Sequence, residues 1–261
     1  MTGWVWKEYP MAYLPVNKDT LGKMRLRDPS SFLHLAQVSV CEIVATEIAA
    51  AAANYPVFFI EKEGGLVPVA LFALRQNENL FVEENGAWTG QYIPALLRRY
   101  PFVIGRPDGD PAAEPVLMID GDCGLLSETE GEPLFGQSNG DDMDTPVGRV
   151  IRLFFELEAQ GQVTRDLMSR LAETDLLEPM SLALKTDQEE KVLEGVFSVN
   201  EQKLRELSDD AFLDLRRSDV LPLIYSHFLS LRHLNRLRER LNRREAMLVA
   251  GGQAPSFFLS D

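Results

Sequence analysis

The chain has 261 residues, 45% hydrophobic and 25% charged, with 40 acids against 26 bases for a formal charge of −14. Those proportions exclude a mostly disordered chain, a collagen-like repeat and a disulfide-stapled scaffold. The acidic balance also disfavours a protein that wraps nucleic acid or lies on an anionic membrane, because both partners are recognised through Lys and Arg clusters.

Residues 1–33 carry prolines at 10, 15 and 29 and scattered aromatics, which reads as an irregular N-terminal arm. The start lacks the basic residues and apolar run of a secretory signal. The longest helix-compatible apolar stretch, Ile43 to Ala53, is interrupted by Thr46 and Glu47 and is shorter than the roughly 20 residues of a membrane span. The expectation is a cytoplasmic protein with no membrane insertion. Cys41 and Cys123 read as free thiols in a reducing compartment, each a small buried apolar residue.

Val40, Ile43, Val44, Glu47 and Ile48 have helical spacing and predict a helix over 37–53, ended by Tyr55-Pro56. Val57-Phe58-Phe59-Ile60 and Leu66 to Leu74, separated by Glu63-Gly64-Gly65, predict a hairpin. A short strand at Leu80-Phe81-Val82 and a short helix from Ile93 to Tyr100 follow. The stretch from Pro107 to Gly148 holds eleven acids and no Lys or Arg, with one strand-like run, Val116-Leu117-Met118-Ile119. Thr145-Pro146 opens a long helix in the favoured cap-plus-proline arrangement, with Gly161 marked as a break and a second piece from about Thr164 to Leu176.

Leu182 to Thr186 and Lys191 to Val199 predict a second hairpin. Asn200 caps one short helix, and another covers Ser208 to Arg217. A last helix, capped by Asp219, runs to about Leu248 with Leu221, Ile224, Phe228, Leu231, Leu234, Leu237 and Leu241 at threes and fours. The order helix, hairpin, helix occurs twice, as an α-β-β pseudo-repeat at 37–82 and 145–204, so the two hairpins are expected to join into one sheet. The predicted fold is α+β: a mixed, largely antiparallel sheet built from two hairpin units packed against helices, with a long C-terminal helix. A single domain is expected over 34–248, after the 1–33 arm and before a flexible tail at 249–261.

The common chemical signatures are absent. No Gly-x-Gly-x-x-Gly opens a helix after a strand, and no phosphate loop, nucleophile elbow, Cys-x-x-Cys pair or His-Glu-x-x-His occurs. No cofactor and no metal are expected. The three histidines, His34, His227 and His233, stand apart in sequence, and His227 lies on or near the apolar stripe of the last helix. The run Ser127-Glu128-Thr129-Glu130-Gly131-Glu132-Pro133-Leu134-Phe135 is the most unusual segment. It reads as a solvated acidic loop, as the lining of a cation site or as a receptor for a basic peptide. Ser127 and Glu130 have capping-box spacing, but Gly131 and Pro133 argue against a following helix. Residues 232–244 hold six arginines and one glutamate, a local charge of +5. Such cations suit a helix C-terminus and are available to the acidic 107–148 stretch.

Several long runs together resemble the SapC-like family of bacterial proteins. They are His34-Leu35-Ala36-Gln37-Val38-Ser39-Val40-Cys41-Glu42-Ile43, Tyr55-Pro56-Val57-Phe58-Phe59-Ile60 and Tyr92-Ile93-Pro94-Ala95-Leu96-Leu97-Arg98-Arg99-Tyr100-Pro101-Phe102. Leu126 to Phe135 and Ile224-Tyr225-Ser226-His227-Phe228-Leu229-Ser230-Leu231 complete the set. The resemblance implies an accessory role in a bacterial surface-layer, uptake or peptide-modification pathway. It brings no catalytic residue with it.

Two readings of function follow. The first is a non-catalytic accessory protein that binds a peptide or protein partner, with His34, Glu42, Ser127, Glu128, Glu130, Glu132 and His227 as candidate contacts. The exposed aromatics Trp4, Trp6 and Trp88 would support it. The second is an unusual enzyme or metal-dependent protein using His34, His227 and the carboxylates near 120–132. A homodimer through the leucines of the last helix is a further expectation, and no nucleic-acid partner is expected.

Overall fold

A computed structural model of the chain describes residues 13–105, 114–136, 143–185 and 190–250. In chain order these form β1 (Tyr13–Pro15), α1 (Lys18–Leu21), β2 (Arg25–Leu26), β3 (Val40–Glu42), α2 (Ile48–Ala52), β4 (Val57–Lys62) and β5 (Gly65–Leu71). Next come α3 (Ala95–Arg98), β6 (Phe102–Gly105), β7 (Val116–Asp120), β8 (Leu126–Ser127), β9 (Glu132–Pro133) and α4 (Pro146–Ala172). The last described elements are β10 (Leu177–Lys185), β11 (Glu190–Val199), α5 (Glu201–Arg205), α6 (Asp209–Arg217), α7 (Val220–Ser230) and α8 (His233–Ala250). The fold is α+β. It divides into two compact units, Met1–Ser30 with Ala95–Ala159, and Ser31–Pro94 with Gln160–Asp261.

The second unit is built on a five-stranded sheet of order β10-β11-β4-β5-β3, antiparallel throughout. The two predicted hairpins, β4-β5 and β10-β11, do join, with Val196 opposite Ile60 and Phe197 opposite Phe59. Apolar β-branched and aromatic runs explain both hairpins: Val57, Phe58, Phe59 and Ile60 are all buried, as expected of a strand covered on both faces. The helix expected over 37–53 is instead a strand, a 3₁₀ turn at Ala45–Glu47 and only five residues of α-helix. Val40, Cys41 and Glu42 pair with Leu71, Ala70 and Val69, so the open edge of β5 overrides the helical spacing of the apolar residues.

The first unit holds two small sheets, β1-β7-β6 and β8-β2-β9. Its core is Leu21, Phe102, Ile119, Leu134, Val147 and Val150. The acidic Ser127–Phe135 run is neither a helix nor a free loop. It turns between β8 and β9, which flank the two residues of β2: Arg25 pairs with both Ser127 and Pro133, and Leu26 with both Leu126 and Glu132. Ser127 Oγ accepts the amide protons of Thr129 (3.2 Å) and Glu130 (3.0 Å), which closes the turn. Arg25 Nε donates to Gly131 O (2.7 Å), and Leu134 N–H to Met24 O (3.0 Å). The unusual segment is thus a clasp that holds β2 and delivers Leu134 to the core.

The long helix α4 starts as expected, with Pro146 in its first turn and Thr145 Oγ1 accepting the Gly148 amide proton (3.1 Å). It does not break at Gly161 but runs on for 27 residues. A glycine inside a helix costs about 1 kcal/mol relative to alanine, too little to end one this long. The last predicted helix is two, α7 and α8, joined by a tight turn at Leu231-Arg232. Asp219 stands at the head of α7 with φ +58° and makes no side-chain cap. Asn200 and Ser208 do cap, through the amide protons of Lys203 and Ala211. Of the leucines expected to pair two copies, Leu237 and Leu241 are buried within their own chain. No helix among the described residues is long and apolar enough to cross a membrane.

Candidate functional site

His227 is the most heavily engaged of the marked residues. It lies on α7 with no exposed surface, against the rings of Phe58, Phe59 and Phe228. The Val199 amide proton points at its Nε2 (3.2 Å), which makes that nitrogen the acceptor. The imidazole proton therefore sits on Nδ1 and is donated to Val57 O (2.6 Å). Ser198 Oγ lies 3.0 Å from the same Nε2 and is the second donor to it. Ser230, one turn on, accepts the Val57 amide proton (2.9 Å) and donates to His227 O (2.6 Å). One histidine and one serine of α7 thus satisfy the end of β4 and tie it to β11, at the seam between the two hairpins.

Desolvation drives the electrostatics. Burial pushes the His227 imidazole down to about 4, partly offset by its bond to the Val57 carbonyl. Burial likewise lowers His34 to about 4. Burial, then the charges of Arg236 and Arg232, lower His233. Each of these shifts favours the neutral imidazole. A Ser-His pair at 3.0 Å has the outline of a nucleophile and its base. Here the base nitrogen already accepts a backbone N–H and the ring has no exposed surface.

The unfolded chain binds a proton at His227 near pH 6.5 and the folded chain only near pH 4. Between those values the unfolded state holds more protons, so stability rises with pH and is lost on acidification through the window. The contribution of this one group is about 3 kcal/mol. Urea unfolding at pH 7, 6, 5 and 4 is expected to show that decline, and a flat profile from 6.5 to 4 would refute it.

The loop from Glu78 to Tyr92 forms a second ordered cluster in the same unit. Tyr55 packs edge-on against Phe72 and Phe81, with centroids 5.0 and 4.7 Å apart, and Trp88 stacks on Phe81 at 6.1 Å. Trp88 is therefore packed rather than displayed, while Trp4 and Trp6 lie outside the described residues. Tyr55 Oη and Trp88 Nε1 both donate to Tyr92 O, and Tyr92 Oη donates to the buried carboxylate of Glu47. A β-carbon at Gly90 would lie 2.2 Å from Tyr55 Oη, so the close approach requires glycine there. Asn79, fully buried, donates to Leu35 O (3.1 Å) and accepts from the Phe81 amide (2.9 Å).

Two arginines of α8 lock this loop from outside. Arg240 lies 4.5 Å over the Phe81 ring and donates to Thr89 Oγ1 (2.9 Å). Arg244 donates to Asn79 O (3.0 Å) and Val82 O (2.7 Å). Part of the basic 232–244 stretch is thus spent on carbonyls of 79–89. The acids Glu130 and Glu132 of the 107–148 stretch pair with Arg27 and Arg149. Acids 108, 110, 141 and 142 of that stretch lie outside the described residues.

The marked residues do not share one set of partners. Ser127, Glu128, Glu130 and Glu132 belong to the clasp of the first unit. In the second unit His34 lies in a 3₁₀ turn beside Phe32, Glu42 is held by Lys62 on β4, and His227 is held by Val57 and Val199. Among the described residues no group of three His, Cys, Asp or Glu is arranged to hold a metal ion. Sequence reasoning missed Ser198, Ser230, Asn79, Arg240 and Arg244 as individual anchors. Arg240 and Arg244 stood out only as part of the basic 232–244 stretch, and Ser230 only inside the Ile224–Leu231 run.

The geometry defines an α+β protein whose buried polar residues fasten strands and loops to one another. The chain belongs to the SapC family, whose sequence model matches residues 16–237. No curated protein and no solved structure matches it.

Proposed function

We propose that the protein is a non-catalytic accessory protein that binds a peptide or protein partner in a bacterial surface-layer, uptake or peptide-modification pathway. The observation that supports this reading most is the state of His227. It has no exposed surface, and both of its ring nitrogens are engaged by backbone groups. It contributes to binding only through the elements it holds. Of the marked acids, Glu128 is exposed and has no partner among the described residues, and it stays a proposed contact.

Selection of a peptide display library on the full chain tests the reading. Saturable capture is expected, with every captured peptide recovered at unchanged mass after prolonged incubation. Saturable conversion of a captured peptide to a product of different mass would replace this reading with an enzymatic one.

A further inference from the structure

The α7–α8 pair presents an outward ridge that the interior does not use. Inward positions run Val220, Leu223, Ile224, His227, Ser230, His233, Leu237 and Leu241, at threes and fours. At the junction the α-helical ladder gives way to three-residue turns, with Leu231 N–H bonding Phe228 O (3.2 Å) and Leu234 N–H bonding Leu231 O (3.0 Å), and buried positions resume at His233, three residues after Ser230. Exposed positions lie on both sides of that turn: Pro222, Tyr225 and Leu229 on α7, Arg232 in the turn itself, and Arg236 and Arg243 on α8.

The ridge is divided by chemistry. Its first part is apolar, with Tyr225 48% and Leu229 64% exposed on one face of α7. Its second part is cationic, and Glu239 is the one acid that shares the outward face between Arg236 and Arg243. Arg236 hydrogen-bonds His233 Nδ1 (3.4 Å), and among the described residues Arg232, Arg236 and Arg243 pair with no acid. Arg240 and Arg244, by contrast, point to the 79–89 loop and are spent. An exposed cationic row in a chain of net charge −14 is a local reversal of sign.

We infer that this ridge docks an acidic segment of a partner protein, with apolar side chains seated on Tyr225 and Leu229 and carboxylates facing Arg232, Arg236 and Arg243. The inference rests on the binding-protein reading above and gives that partner its chemistry. Charge complementarity selects the occupant. Carboxylates meet the arginines, while the net negative charge of the rest of the chain repels a polyanion long enough to leave the ridge. An apolar anchor beside charged contacts is the usual division of labour at an interface.

The test uses three synthetic 18-residue helical peptides with identical leucines at spacings of three and four, and glutamate, glutamine or lysine at the other positions. Fluorescence anisotropy on the full chain at 50 mM salt is expected to show the glutamate peptide binding at least tenfold more tightly than the glutamine peptide. The lysine peptide is expected to bind weakest. Arg232→Glu with Arg236→Glu should abolish the preference for glutamate, and Leu229→Asp should weaken both peptides at least fivefold. Both variants alter exposed side chains, and an unchanged melting temperature confirms that they fold.

Equal binding of the three peptides, or binding indifferent to both variants, would overturn the inference and leave the binding-protein reading intact. So would tighter binding of a single-stranded oligonucleotide, or concentration-dependent self-association that Leu229→Asp removes. Conversion of a peptide to a new mass would instead sink the underlying reading.

Discussion

Replacing His227 by alanine is expected to destabilise the protein by about 4 kcal/mol. Two contributions lead to that figure. Truncating a large, fully buried side chain among Phe58, Phe59 and Phe228 leaves a cavity, and such truncations cost about 2–5 kcal/mol. The Val57 carbonyl and the Val199 amide then lose their shared partner inside the protein, and each unsatisfied buried group costs about 1–3 kcal/mol. The contributions overlap, because water entering the cavity restores part of the bonding. His227→Phe opens no cavity but removes the hydrogen bonds and places a somewhat larger ring in a filled site, so it should cost about 2 kcal/mol or more. The measurement is the guanidinium unfolding free energy at pH 7. A loss below 1 kcal/mol for His227→Ala would mean that α7 does not hold the seam. The alanine variant should also lose the histidine's share of the decline between pH 6.5 and pH 4, a signature that a cavity alone does not produce.

The sequence makes the sheet legible and the polar anchors nearly invisible, for a physical reason. Val57 to Ile60 is a continuous apolar run, and Val196, Phe197 and Val199 give the end of β11 its apolar character, a composition that a buried strand requires whatever its neighbours are. Their joining was an expectation drawn from the order of elements, and Val196 does pair with Ile60 and Phe197 with Phe59. Residues 37–53 failed because the partner of Val40–Glu42, β5, lies some thirty residues further on, and helical spacing is a local signal that edge pairing overrides. Ser198 and Ser230 meet His227 across 29 and 3 residues, and nothing in the spacing of two serines announces a shared histidine. The acidic run is the opposite case. Its composition stood out at once, yet its role as a clasp depends on β2, about a hundred residues earlier, so its chemistry was visible and its partner was not.

Gly131→Ala carries the second large expected effect, about 3 kcal/mol or more, and it probes that clasp. Gly131 has φ +97°, a region that costs a residue with a β-carbon about 1–3 kcal/mol. The added β-carbon would also stand 2.4 Å from Leu26 O, 2.5 Å from Leu26 C and 2.7 Å from Arg27 N. All three are backbone atoms, so no side-chain rotation relieves the clash. β2 has no free direction in which to yield, since β8 and β9 pair with it on both sides. Relief must come from pulling residue 131 away, which breaks the bond from Arg25 Nε to its carbonyl (2.7 Å) and loosens the Leu134 amide from Met24 O. Leu134 is fully buried, so its withdrawal would reach the core of the first unit. Glu128→Ala, three residues away in the same turn but exposed, is the matched control and should change stability by less than about 0.5 kcal/mol. Thermal and urea unfolding of the two variants read the contrast, with hydrogen exchange at the Leu26 and Leu134 amides expected to accelerate only in Gly131→Ala. A Gly131→Ala protein as stable as Glu128→Ala would mean that the turn is pliable and the acidic run is held by its charges rather than by its backbone.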